Sequence, residues 1–164
     1  MLPTAANKPV ALHPEMSHLN LQTLFPMASS SVPAETVFTD FLTAINEHDL
    51  EKMTTLISDD HIFTDAANNT VNGPDDFRLG WKFYFDWFPD YTIEVNEAIS
   101  YGEKVAAFGY ASGTFRAMKT SDEYNHWRLP LALKAEIVRG KVRRWQIYVD
   151  TKIPLEIIES NQTF

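Results

Sequence analysis

A chain of 164 residues, 45% hydrophobic and 13% aromatic, can bury one sizeable core and is too short for two ordinary domains. Its 14 Lys and Arg against 22 Asp and Glu give a formal net charge of -8, which repels a nucleic-acid backbone; the one dense basic run, Arg139 to Arg144, reads as a solvated turn. There is no cysteine, which excludes disulfides, thiolate catalysis and thiolate metal sites.

Residues 1–32 are rich in Pro, Ser, Asn and His and show little periodicity. They read as an N-terminal extension, either a flexible arm or one docked on a dimer partner through Leu19, Leu21, Leu24 and Phe25. The start lacks a basic residue followed by an apolar run, and no stretch is apolar enough to span a bilayer, so a cytoplasmic protein without a membrane partner is expected. At Pro33 the pattern changes. Val37, Phe38, Phe41, Leu42 and Ile45 recur at helical spacing, and proline suits a first turn because the amide it lacks would be unpaired there. Asp49 is placed to cap a short second helix carrying Leu50, Met53, Leu56 and Ile57.

His61 to Asp65 alternates as a strand, and Ala66 to Asn69 reads as a turn or hairpin tip. Gly73 and Pro74 open a third helix with Phe77, Trp81, Tyr84, Phe85 and Phe88 on one face, ended by Pro89. From Tyr91 the chain reads as antiparallel sheet over 91–100, 104–116, 127–138 and 142–151, with turns at Tyr101-Gly102 and Arg139-Gly140. Leu129, Leu131, Leu133, Ala135 and Ile137 share one strand face while Arg128, Lys134 and Glu136 take the other, so one side of the sheet is covered. The expected fold class is α+β, a cone-shaped curved antiparallel sheet with three N-terminal helices packed in its concavity. A domain over 33–155 and a C-terminal tail over 156–164 complete the expected organisation.

Local strings point the same way. Asn46-Glu47-His48-Asp49, the run from Ser58 to Asp65, Asn72 to Asp76, Phe88-Pro89-Asp90, and Gly140-Lys141-Val142 followed by Trp145 and Asp150 resemble the nuclear transport factor 2-like superfamily. The resemblance covers about residues 34–155 and is to the SnoaL-like polyketide cyclases and ketosteroid isomerases in particular. It implies a cone with an open end and a ligand site inside. Because one fold hosts enzymes, binding modules and scaffolds, function has to be argued from the site.

Three residues are candidates for proton transfer. Asp65 shares a strand face with Phe63, so it points into the cone if Phe63 is in the core, and desolvation there makes a carboxylate a better proton acceptor. By resemblance it falls where ketosteroid isomerases carry their catalytic base; the plainer reading is a strand-end Asp bonded to the Ala66-Ala67 turn. Asp150 resembles the acid/base Asp of SnoaL-like cyclases. Alternation groups it with Gln146 and Tyr148, opposite Trp145, Ile147 and Val149, so it sees the cavity only if that face is inward; otherwise it is a surface carboxylate beside Arg144 or Lys152. His126 is a third candidate as a strand-start proton carrier. Candidate walls of a substrate cavity are Phe41 of helix one, Trp81 and Tyr84 of helix three, and Phe108, Tyr110, Trp127 and Trp145 of the sheet.

Departures from the resemblance narrow the function. By resemblance, the Tyr and the protonated Asp that hold the enolate in ketosteroid isomerases fall on Phe41 and on or near Leu133, so steroid isomerisation itself is disfavoured. No His beyond His126 stands on the strand where SnoaL-like cyclases carry one, and no Arg-x-Asp string accompanies Arg116. Two readings follow. One is a cofactor-free acid/base enzyme acting on a hydrophobic cyclic carbonyl-type molecule as isomerase, aldol cyclase or dehydratase. The other is a non-catalytic small-molecule-binding or homodimerisation domain. A homodimer through the outer sheet face is expected, and no metal, since no His pair has ligand spacing with a carboxylate.

Overall fold

The computed structural model of the protein describes residues 32–116 and 125–162, and the expectations for residues 1–31 lie outside them. Helix α1 (Ala34–Asn46) follows Pro33 and buries Val37, Phe38, Phe41, Ala44 and Ile45, an i, i+1, i+4, i+7, i+8 stripe. His48 turns the corner at φ 54°, and the Asp49 carboxylate accepts the Lys52 N–H at 2.9 Å to cap α2 (Leu50–Leu56). Strand β1 (Ile57–Thr64) leaves α2 without a loop and so begins earlier than the His61 expected; β2 (Thr70–Asn72) pairs with it across a turn. Then α3 (Pro74–Trp87) opens with Pro74 in its first turn, as the sequence indicates. Strands β3 (Thr92–Tyr101), β4 (Lys104–Thr114), β5 (His126–Val138) and β6 (Lys141–Val149) complete one curved sheet of order β2-β1-β6-β5-β4-β3.

The α+β class holds, with one difference in strand direction. β3 to β6 are antiparallel neighbours, whereas β1 runs parallel to β6, aligning Phe63 with Trp145, so the sheet is mixed. Hairpin turns dictate antiparallel pairing, but β1 meets β6 across most of the domain, where no tight turn constrains direction. Helix α1 lies against β3, β4, β5 and β6. The core centres on Trp145, fully buried, with Phe41 edge-on at 4.9 Å and Phe38 stacked at 5.4 Å; Phe41 in turn meets Phe77 of α3 at 6.1 Å.

The tail expected over 156–164 is a helix instead: α4 spans Lys152–Gln162. Asp150 Oδ1 accepts the Lys152 N–H at 2.9 Å, and Pro154 falls in the first turn, where a missing amide breaks no intrahelical bond. Ile157 and Ile158 pack on the core, and Asn161 Nδ2 donates to Asn125 Oδ1 at 3.0 Å. Among the described residues no helix is long and apolar enough to cross a membrane.

Candidate functional site

Where α3, α4 and the ends of β1 and β6 part, a cavity of about 530 Å³ remains. Phe77, Gly80, Trp81, Tyr84, Trp87 and Phe88 form its α3 wall, a run of aromatic rings at helical spacing. The sheet contributes Phe63, Trp127, Ile147 and Val149, and α4 contributes Pro154, Leu155 and Ile158. Asp65, Ala66 and Asn69 of the β1–β2 turn close one side. Of the residues expected as substrate-cavity walls, Trp81, Tyr84 and Trp127 line this cavity.

Tyr91, which the sequence reading passed over, is central. Its buried ring lies 6.0 Å from Trp81, 5.0 Å from Tyr84 and 6.1 Å from Trp127 between centroids. Its signal was the Phe88-Pro89-Asp90 helix exit, which returns the next residue to the cavity. Burial pushes the Tyr84 hydroxyl up from its ordinary pKa, and burial together with nearby Tyr84 does the same to Tyr91, so both stay protonated hydrogen-bond donors at neutral pH. The indole N–H groups of Trp81 and Trp127 are buried without a hydrogen-bond partner among the described residues. Asp65 is the one charged side chain among the described lining residues, and no Lys, Arg or His is among them.

The Asp65 carboxylate is tightly oriented. Oδ1 accepts the backbone N–H of Ala67 at 2.9 Å and of Asn69 at 2.8 Å, and Oδ2 accepts the Asn69 side-chain amide at 2.9 Å. Asp65 thus organises its turn, the plainer of the two sequence readings, and is also among the residues that line the cavity. Oδ2, with one hydrogen bond, has a lone pair left over.

Other candidates are placed elsewhere. Asp150 is exposed and starts α4 rather than entering the cavity, because Ile147 and Val149 are the residues of β6 that face inward. His126 is exposed on the opposite strand face from Trp127. Thr114 donates its one hydroxyl proton to Asp90 Oδ2 at 2.6 Å, so His126 Nδ1 is the donor in its 3.0 Å contact with Thr114 Oγ1. Burial works to raise the Asp90 carboxyl, but the hydrogen bonds from Thr114 and the nearby His126 outweigh it and hold Asp90 below the usual range. Phe41 and Trp145 belong to the core and not to the cavity wall. Phe108 and Tyr110 lie on the outer sheet face, where Phe108 is 46% exposed and the Arg128 guanidinium sits 3.6 Å from the centre of the Tyr110 ring. On β4 the inward residues are instead the small Ala107 and Ala111.

His61, two residues before Phe63 on the inward face of β1, is fully buried beneath Phe77 at 4.8 Å between ring centres. Its Nδ1 lies 2.8 Å from the Val142 carbonyl, an acceptor only, so Nδ1 carries the proton, while Nε2 is buried without a partner among the described residues. Among the described residues no three His, Asp or Glu side chains gather as a metal ion would need.

Solved structures share this fold at low identity. A putative SnoaL-like polyketide cyclase from Shewanella putrefaciens superposes with a TM-score of 0.67 at 15% identity, over 79% of this chain and 98% of that one. A hypothetical protein of ketosteroid isomerase-like fold from Catenulispora acidiphila, in complex with trimethylamine, gives 0.60 at 16% identity over 68% and 83%. AclR, a putative hydroxylase from Streptomyces galilaeus, gives 0.62 at 19% identity over 80% and 83%. No curated protein sequence matches. The SnoaL-like domain profile matches residues 38–145, from the first turns of α1 to the Trp145 that α1 packs on, which is more than half of the chain. The chain belongs to the SnoaL-like domain family.

Proposed function

We propose that this domain is an acid/base enzyme, needing no cofactor, that moves a proton next to the carbonyl of a hydrophobic cyclic molecule held in the cavity. Isomerisation, aldol cyclisation and dehydration all use that step. The observation that carries the reading is one carboxylate, Asp65, at the edge of an aromatic cavity of about 530 Å³ with no other charged lining side chain among the described residues. Asp65 Oδ2 takes the proton from the carbon beside the carbonyl, and the bonding electrons move onto the carbonyl oxygen as an enolate. Tyr84 or Tyr91, both protonated, donates a hydrogen bond to that oxygen, in place of the donors absent at Phe41 and Leu133. The Asp65 carboxyl then returns the proton to another carbon or to an alkoxide. A lining without cations disfavours an anionic ligand, and the trimethylamine complex of a structural relative supports small-molecule binding in this fold.

One observation favours the second reading, a binding domain without catalysis: three hydrogen bonds commit Asp65 to its own turn. Exchange of the α-protons of 2-tetralone for deuterium, followed by NMR in D2O, separates the two. The native protein is expected to accelerate exchange and Asp65→Asn to lose about a hundred- to ten-thousand-fold of that acceleration. Binding of tetralone with equal exchange by native and variant protein leaves a binding domain.

A further inference from the structure

Five of the six glycines have a structural reason. Gly73, Gly102 and Gly140 sit at positive φ; a Cβ on Gly109 would come 1.8 Å from the Glu94 carbonyl oxygen, and one on Gly113 would press on Phe88 at 3.3 Å. Gly80 has neither reason. It lies inside α3, its backbone is helical, and an added Cβ would meet no atom within 4 Å. Glycine is the least favourable interior helix residue after proline, so α3 gives up stability at Gly80 with nothing in the protein requiring it.

The open space has a definite place. Gly80 is exposed and lines the cavity, among the rings of Phe77, Trp81, Tyr84 and Trp87 on the same helix. Its missing side chain cuts a notch in that aromatic wall. Because Gly80 is itself exposed while it lines the cavity, the notch stands on the solvent side of the site.

We propose that Gly80 is the residue that sets the ligand size limit of this cavity: the notch it leaves admits the far edge of a ligand too broad for the space between the rings. The assignment rests on the cavity being a ligand site. A side chain at this position closes the notch and leaves the enclosed part of the cavity, between Tyr91, Trp127 and Phe63, untouched.

Isothermal titration of the native protein, Gly80→Ala and Gly80→Leu with a one-ring ketone, acetophenone, and a three-ring ketone, 9-fluorenone, tests this, with circular dichroism melts as the folding control. Native protein is expected to bind both. Gly80→Leu is expected to weaken fluorenone by about tenfold or more while acetophenone changes by less than about twofold. Gly80→Ala is expected to raise Tm by about 3 °C, because nothing but the empty notch is lost. Equal effects on the two ketones, no effect on either, or a fall in Tm for Gly80→Ala overturns the role of Gly80 and leaves the cavity as a site. Failure of native protein to bind either ketone overturns the ligand-site reading itself, and the role of Gly80 with it.

Discussion

The side-chain amide of Asn46 pairs with the backbone of Ile93, donating from Nδ2 to the carbonyl at 2.9 Å and accepting the N–H on Oδ1 at 2.8 Å. The last residue of α1 thus acts as a short extra strand partner for β3, at a buried residue whose backbone groups need partners. Asn46→Ala removes both bonds at once. It is expected to lower unfolding stability by about 1–2 kcal/mol in urea melts, and Asn46→Asp, which sets a carboxylate oxygen against the Ile93 carbonyl and a negative charge at the helix C-terminus, by at least as much.

His61 makes the fold sensitive to acid. Burial is the main cause lowering its pKa, against the Val142 carbonyl and the neighbouring Asp60, which raise it. The folded protein therefore holds His61 neutral at a pH where the unfolded chain already binds a proton. Stability from this residue is complete above the ordinary histidine range and falls as pH drops through it, by at most about 1.4 kcal/mol per pH unit. Urea melts between pH 8 and 5 are expected to show that slope, and His61→Leu a flatter one.

Phe41 separates core from wall. Fully buried between Trp145 and Phe77, it is expected to cost about 3–5 kcal/mol of stability as Phe41→Ala. Because it does not line the cavity, the milder Phe41→Leu is expected to leave acetophenone affinity within about twofold. A large affinity loss in a folded Phe41→Leu protein would return Phe41 to the ligand wall.

On the outer sheet, Phe108 and Tyr148 flank Ala132 in one cross-strand row, both about half exposed, with Ile99 on β3 also exposed. We expect this face to join two copies of the chain, since exposed apolar sheet surface of this kind favours a two-fold interface. Light scattering is expected to give a dimer for native protein and a monomer for Phe108→Asp, with an unchanged circular dichroism spectrum. A native monomer at micromolar concentration would contradict it.

Much of the architecture was legible because local chemistry and global fold agree: Pro33, Asp49, Pro74, Gly102 and Gly140 each mark a start, cap or turn that the structure contains. Helix α4 was hidden by Pro154, which reads as a breaker until its first-turn position is known. The direction of β1 was hidden because it depends on pairing with β6, far away in sequence. Phe108 and Tyr110 misled because aromatic residues suggest a wall; the alternating Val105, Ala107 and Ala111 carry the opposite signal, small residues making room for α1. The cavity end was read from α3 and β5, where Trp81, Tyr84 and Trp127 stand on strongly patterned elements. Tyr91, just before β3, was read as the first residue of that strand and not as a wall, because its alternation with Ile93 gives a sheet face and not what that face meets.

Helix α4 has eleven residues, too few to persist as an isolated helix in water, so its order comes from docking on the domain. Since Pro154, Leu155 and Ile158 of this helix also line the cavity, ligand binding and local folding of α4 draw on the same contacts. Amide hydrogens of α4 should therefore exchange through a local opening well below the global unfolding free energy, and a cavity ligand should slow that exchange first and most. A bound ligand would thereby act as a staple, holding this short helix in place for as long as it stays.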